Sequence, residues 1–163
     1  MEKQIKRDQR ASFSTLELIV LVGIQGAGKT TFALQRFVGT HVVISKDRLR
    51  NNPHPERRQQ LLVAAALAAG HSVVVDNTNP SVAERGVLIA RAREAGARII
   101  GYMFTSSLDA CRVRNASRSG PARVPDVGIF STVKRFEPPS LSEGFDELWS
   151  VDTLPEFCFE VRP

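Results

Sequence analysis

A doubly wound α/β fold, with a parallel sheet between helical layers, is predicted by three features of this 163-residue sequence. Short β-branched apolar runs alternate with longer stretches of helical period. Glycine and proline punctuate the junctions between them. Charged and amide residues follow directly on the apolar runs, at the strand ends where ligands of such sheets bind.

The elements follow in order. LELIVLVG (16–23) is a continuous apolar run suited to a strand buried on both faces. A helix is predicted from Lys29 to Phe37, and HVVIS (41–45) is the second strand. PERRQQLLVAAALAAG (55–70) reads as a helix, with proline at its start, glycine at its end and Leu61, Leu62, Ala65, Ala66 and Ala69 on one side. SVVVDN (72–77) is the third strand. SVAERGVLIARAREAG (81–96) is a helix with Ser81 as N-cap and Gly96 as its stop. RIIGYMF (98–104) is the fourth strand, and SLDACRVRNASR (107–118) a helix. The Gly/Pro loop 119–125 precedes a last helix near Val127 to Phe136, and ELWSVD and FCFEV read as short closing strands. The expected strand order is 2-3-1-4-5, with a helical lid at about 112–126. Residues 1–14 are expected to form a flexible basic tail and 15–163 a single domain.

Composition narrows the class. Hydrophobic content of 42% and charged content of 24% are ordinary for a soluble globular protein. No apolar run approaches the roughly 20 residues that span a bilayer. The polar N-terminus lacks the apolar core of a signal peptide. Cys111 and Cys158 have no metal-ligand spacing, so a cytoplasmic protein with reduced thiols is expected. Net charge is +5; from Glu137 onward the balance is −6, so the first 136 residues carry +11. Arg112, Arg114, Arg118, Arg123, Lys134 and Arg135 crowd one stretch that contains Asp126 as its sole acid. Such concentration suits a polyanionic partner, nucleotide phosphates or nucleic acid, and equally a solvated basic face.

Three motifs sit at strand ends. GIQGAGKT (23–30) satisfies G-x-x-x-x-G-K-[ST], between a strand and a helix, which makes it a P-loop. Its glycines let backbone N–H groups surround a phosphate at a helix N-terminus. Gly23, Gln25, Gly26, Ala27, Gly28, Lys29, Thr30 and Thr31 are the expected ATP-binding residues, with Lys29 on the β- and γ-phosphates and Thr30 on Mg²⁺. Asp47 follows the second strand. It is either a cap paired with Arg50 at i,i+3, or the base that takes a proton from an attacking hydroxyl. In the second case Arg50 meets a phosphate of the incoming substrate rather than neutralising Asp47. Asp76 and Thr78, in VVVDNTNP, follow the third strand. Asp76 is placed to reach the metal through water, while the same stretch has the chemistry of an Asx-turn. Arg114 and Arg118, one helical turn apart beside a Gly/Pro loop, suit a lid that closes over ATP.

The order GIQGAGKTT, SKDRLR, VVVDNTNP, RNASR…VP and FEPPSLSEGFDELW resembles the kinase domain of polynucleotide 5′-hydroxyl kinases, over about residues 16 to 152. The resemblance implies an ATP- and Mg²⁺-dependent transfer of the γ-phosphoryl group to the 5′-hydroxyl of DNA or RNA. It implies Asp47 as general base, Lys29 and Arg118 as catalytic groups on the phosphates, and Arg114 assisting. It further implies Arg50 on the phosphate next to the acceptor hydroxyl, Asp76 and Thr78 near acceptor and metal, and Val124 against the terminal base. No DxDGT phosphatase motif is present. The alternatives are a kinase with a small-molecule acceptor and a nucleotide-binding module without transfer. A small neutral acceptor would not require the basic excess of the first 136 residues, and a binding module predicts that Asp47 can be neutralised without consequence.

Overall fold

The computed structural model describes residues 15–163; the expected tail at 1–14 lies outside the described residues. Six strands form one sheet in the order β2-β3-β1-β4-β5-β6. They are β1 (Glu17–Val22), β2 (Val42–Ile44), β3 (Val73–Val75), β4 (Arg98–Phe104), β5 (Glu147–Leu154) and β6 (Cys158–Arg162). The first five run parallel, as expected, and β6 returns antiparallel on β5. The sixth, antiparallel member is the departure from the expected order. Its burial alternates along CFEVR, as an edge strand covered on one face requires.

The helices are α1 (Lys29–Arg36), α2 (Pro55–Ala68), α3 (Val82–Glu94), α4 (Leu108–Ala116) and α5 (Asp126–Arg135). Local chemistry sets their ends. Ser81 accepts from the Glu84 backbone N–H at 3.2 Å, and Ser107 does the same for Ala110 at 3.2 Å, which caps α3 and α4. The residues after strand two do not open an α-helix: Lys46–Leu49 makes a 3-10 turn instead.

Successive residues of β1 supply two cores, because side chains alternate across a sheet. Leu18, Val20 and Val22 face Val63, Leu67 and Leu88 of α2 and α3. Ile19 and Leu21 face Phe32, Ala33 and Cys111 of α1 and α4. Phe32 is the hub of the second core, with Phe104 and Phe159 edge-on at 5.3 and 5.2 Å. With both faces covered, the carboxyl ends of β1, β2 and β3 are left to open on one edge, and the three motifs lie there. No helix among the described residues is long and apolar enough to cross a membrane.

Candidate active site

The loop between β1 and α1 turns through left-handed glycines. Gly26 has φ +81°, and a Cβ there would lie 2.2 Å from Cys111 O; Gly28 has φ +95° and heads α1. No L side chain fits either position without strain. The loop is held from outside. Thr153 Oγ1 donates to Ala27 O at 2.7 Å, and Thr78 O accepts from Gly23 N at 3.0 Å.

Lys29 is buried at the base of α1, with its ammonium donating to Ile24 O at 2.8 Å. Burial holds its pKa down to about 8, helped by the charge of Arg118 and opposed by Asp76 and Asp47. Because the folded value lies below that of a free lysine, burying Lys29 opposes folding below about pH 8, and the penalty fades as pH rises toward the free value. Nucleotide affinity runs the other way: it is expected to fall about tenfold from pH 7 to pH 9 as the ammonium is lost. Titration of the protein with ADP at both pH values checks this. An unchanged affinity would mean that Lys29 stays protonated or contributes nothing.

Thr30 donates to Asp76 Oδ2 at 2.7 Å, linking the P-loop to the end of β3. A hydroxyl and a carboxylate are hard oxygen donors, and Mg²⁺ takes few of these from protein while keeping water and phosphate oxygens for the rest. The pair fits that ion. No group of three or more His, Cys, Asp or Glu side chains among the described residues forms an all-protein cage.

One cleft of about 740 Å³, its open mouth included, gathers most of the expected residues: Gln25, Gly26, Gly28, Lys29, Thr30, Asp47, Arg50, Asp76, Thr78, Arg118 and Val124. Lys46, Asn77 and Ala122 line it too, although no role was read for them. Gly23 and Ala27 are buried in the loop's own turn, and neither they nor Thr31 line the cleft.

Asp47 sits in the 3-10 turn after β2, its side chain 82% exposed. Its backbone N–H is capped by Ser45 Oγ at 3.3 Å, so the carboxylate itself is not used as a cap. Arg50 Nη2 lies 3.5 Å from Asp47 Oδ1 and its Nη1 donates to Pro121 O at 3.1 Å. In this state Arg50 therefore does pair with Asp47, and it also grips the expected lid. An exposed pair of this kind contributes at most about 1 kcal/mol, so an incoming phosphate can displace it.

The two lid arginines part company. Arg118 lines the cleft and makes no side-chain hydrogen bond or ion pair among the described residues. Arg114 does not line it: its guanidinium donates to Gly26 O at 3.1 Å and Thr153 O at 3.3 Å, bracing the P-loop from behind. It reaches a backbone carbonyl because α4 packs against the loop at Cys111, one turn earlier. The return arm of the expected lid is fixed by a residue of RNASR for which no role was read. Asn115, 2% exposed, donates to Val124 O at 2.7 Å and accepts from Val124 N at 2.9 Å. Both backbone groups of Val124 are thus satisfied by one side chain, which sets Val124 at the cleft wall.

The β3 end is supported from below. Asn77 accepts from Lys46 N at 2.9 Å and donates to buried Gln59, while Asn79 adopts φ +44° and donates to Leu21 O at 2.7 Å. Arg85, fully buried on α3, donates to Asn79 O at 3.0 Å and forms a two-pronged pair with Glu143 at 2.8 and 2.9 Å.

A P-loop on β1, an acid after β2, a hydroxyl–carboxylate pair between α1 and β3, and an arginine above them define a nucleotide-binding P-loop domain. The chain belongs to the AAA domain family, which matches residues 18–139. The resemblance to polynucleotide kinases read from the motifs is borne out by a relative from Schizosaccharomyces pombe, a bifunctional polynucleotide phosphatase/kinase. That protein is 30% identical over 150 residues, 88% of this chain and 35% of its own length. The chain spans about a third of the length of the curated relatives it matches. Among solved structures, a fungal RNA kinase shares the fold at TM-score 0.65 and 18% identity, over 85% of this chain and 38% of that one. A sugar kinase from Janibacter sp. HTCC2649 does so at TM-score 0.64 and 18% identity, over 84% and 85%.

Proposed function

We propose that the protein is an ATP-dependent kinase that phosphorylates the 5′-hydroxyl end of a polynucleotide. One observation carries this reading: Asp47 and Arg50, a carboxylate and a cation one turn apart, share a single cleft with Lys29 and Arg118. Phosphoryl transfer to a hydroxyl needs a proton acceptor on one side of the γ-phosphate and positive charge on the other. A polynucleotide acceptor adds the need for a cation beside the base, because its reacting hydroxyl lies one sugar away from a phosphodiester. The S. pombe relative is named a bifunctional polynucleotide phosphatase/kinase, which supports a polynucleotide acceptor.

In the step itself the acceptor oxygen attacks the γ-phosphorus while its proton passes to an Asp47 carboxylate oxygen. The bond from the γ-phosphorus to the bridging oxygen breaks, and ADP leaves with that electron pair. Lys29 and the P-loop N–H groups hold the β- and γ-phosphates, and Arg118 meets the charge that spreads over the transferring group. Thr30 and Asp76 would hold Mg²⁺, which when bound neutralises part of the phosphate charge. Arg50 exchanges Pro121 O for the phosphate of the acceptor and so orients the hydroxyl toward Asp47.

The test is transfer from γ-labelled ATP to a 5′-OH oligonucleotide, with a pool of small hydroxyl compounds in parallel. Label is expected at the oligonucleotide 5′ end. Label confined to small molecules would sink the polynucleotide reading, and no transfer to either would leave a nucleotide-binding module.

A further inference from the structure

A second cleft adjoins the first and has no part in the chemistry above. It lies between α2 and α3 and measures about 620 Å³, its open mouth included, a size within the range of small-molecule sites. Lys46 lines both clefts, so the two meet at this residue. The walls of the second include Glu56 and Gln60 from α2 and Ala83, Glu84 and Val87 from α3.

The two clefts differ in charge. The first presents the cations Lys29, Arg50 and Arg118, whereas the second carries the carboxylates of Glu56 and Glu84 beyond Lys46. Neither carboxylate is fully used. The Lys46 ammonium lies 3.8 Å from Glu56 Oε1, too far for a hydrogen bond, and Arg135 donates to Glu84 Oε1 at 2.9 Å, leaving Oε2. Gln60 is half-buried, and its amide can offer a ligand either a donor or an acceptor. Val87, still 39% exposed, gives the wall an apolar surface. Carboxylates repel a phosphate, so this cleft suits an uncharged group with apolar faces and hydrogen donors on its edge. A nucleobase is such a group, since its exocyclic amino groups donate to carboxylates.

Resting on the kinase reading above, we propose that the cleft between α2 and α3 binds the base of the second nucleoside of the acceptor. A polynucleotide alternates anionic phosphate with uncharged base, and the adjoining clefts alternate in the same sense. Arg50 takes the phosphate between the first and second nucleosides. Lys46, at the junction, meets the same backbone, because its exposed pairing with Glu56 is weak enough to be given up. The second base packs against Ala83 and Val87 with its edge toward Gln60 and the two carboxylates. A small hydroxyl acceptor ends within the first cleft and gains nothing from the second.

The experiment compares three 5′-OH acceptors: a nucleoside 3′-phosphate, a dinucleotide, and the same dinucleotide with an abasic second position. Loss of the second base is expected to lower kcat/KM about fivefold or more, the worth of one or two modest contacts. Ala83→Phe fills the cleft from an exposed helical position and should bring that ratio close to one, while transfer to the nucleoside 3′-phosphate stays at the native rate. Gln60→Ala should shrink the same ratio, which keeps the test open if the larger side chain disturbs the fold; melting temperatures check both variants. Equal rates with and without the second base, or a ratio that survives both substitutions, would overturn the subsite and leave the cleft to some other occupant, with the kinase reading in place. Absence of transfer to all three acceptors would overturn that reading instead.

Discussion

Asp47→Asn is expected to lower the turnover of 5′-end phosphorylation by at least ~10²-fold, the contribution of a positioned general base. The amide keeps the shape of the carboxylate but cannot take the proton. ATP affinity should change little, because the side chain pairs with Arg50 and, among the described residues, makes no hydrogen bond or ion pair to the P-loop. Single-turnover rates with nucleotide titrations in parallel separate the two effects. Near-normal turnover would remove the catalytic role and leave Asp47 as the partner of Arg50. The exposure of Asp47 is compatible with the role, since an arriving acceptor would shield it from water at the moment a low-dielectric surrounding is useful.

Glu143→Ala should destabilise the protein by about 3–5 kcal/mol, the cost of leaving one member of a buried ion pair alone. Arg85 is fully buried, so its charge has no route to water once Glu143 is gone. Chemical denaturation of the native protein and the variant measures the difference. Replacing both partners by apolar residues, Arg85→Met with Glu143→Leu, should restore most of the loss. A small effect from Glu143→Ala would mean that Arg85 reaches solvent or another acid. The same pair gives a pH signature. Burial pushes the Glu143 carboxyl up, but hydrogen bonds from Arg85 and the Ser140 N–H outweigh it and hold the group below its usual range. A lowered carboxylate contributes stability that is present above its unfolded value and lost as pH falls through the folded one. Native protein should therefore lose more stability on acidification than a Glu143→Gln variant.

What could be read in the sequence was whatever is local. GIQGAGKT states its geometry outright, because glycines at 26 and 28 answer a demand of the backbone and Lys29 and Thr30 follow at fixed offsets. Asp47 and Asp76 were legible through placement, each directly after an apolar run, and parallel pairing brings all such ends to one edge. Supports made by residues far apart were not legible. Arg85 is one arginine among several on α3, and its partner lies 58 positions on, in a segment with no periodicity. Asn115 reads as an ordinary polar residue of a helix until Val124 is folded back over it. Arg114 and Arg118 carry the same pattern in sequence, yet packing at Cys111 turns one onto the loop's carbonyl and leaves the other to the cleft. The order of the sheet was legible for its five parallel members, whereas β6 depends on a tight return at Pro155–Phe157 in which Glu156 and Phe157 take positive φ without glycine.

The bracing of the P-loop has a consequence for how the chain matures. The phosphate-binding motif is complete by residue 30, yet Ala27 is held by Thr153, 126 positions later, and Gly28 rests against Thr153 and Phe159. Contacts so distant along the chain are slow to form. During synthesis, β1 and the loop emerge before the β5–β6 hairpin and wait, unbraced, for it. Competence to hold a triphosphate therefore arrives with the β5–β6 hairpin rather than with the motif that encodes it.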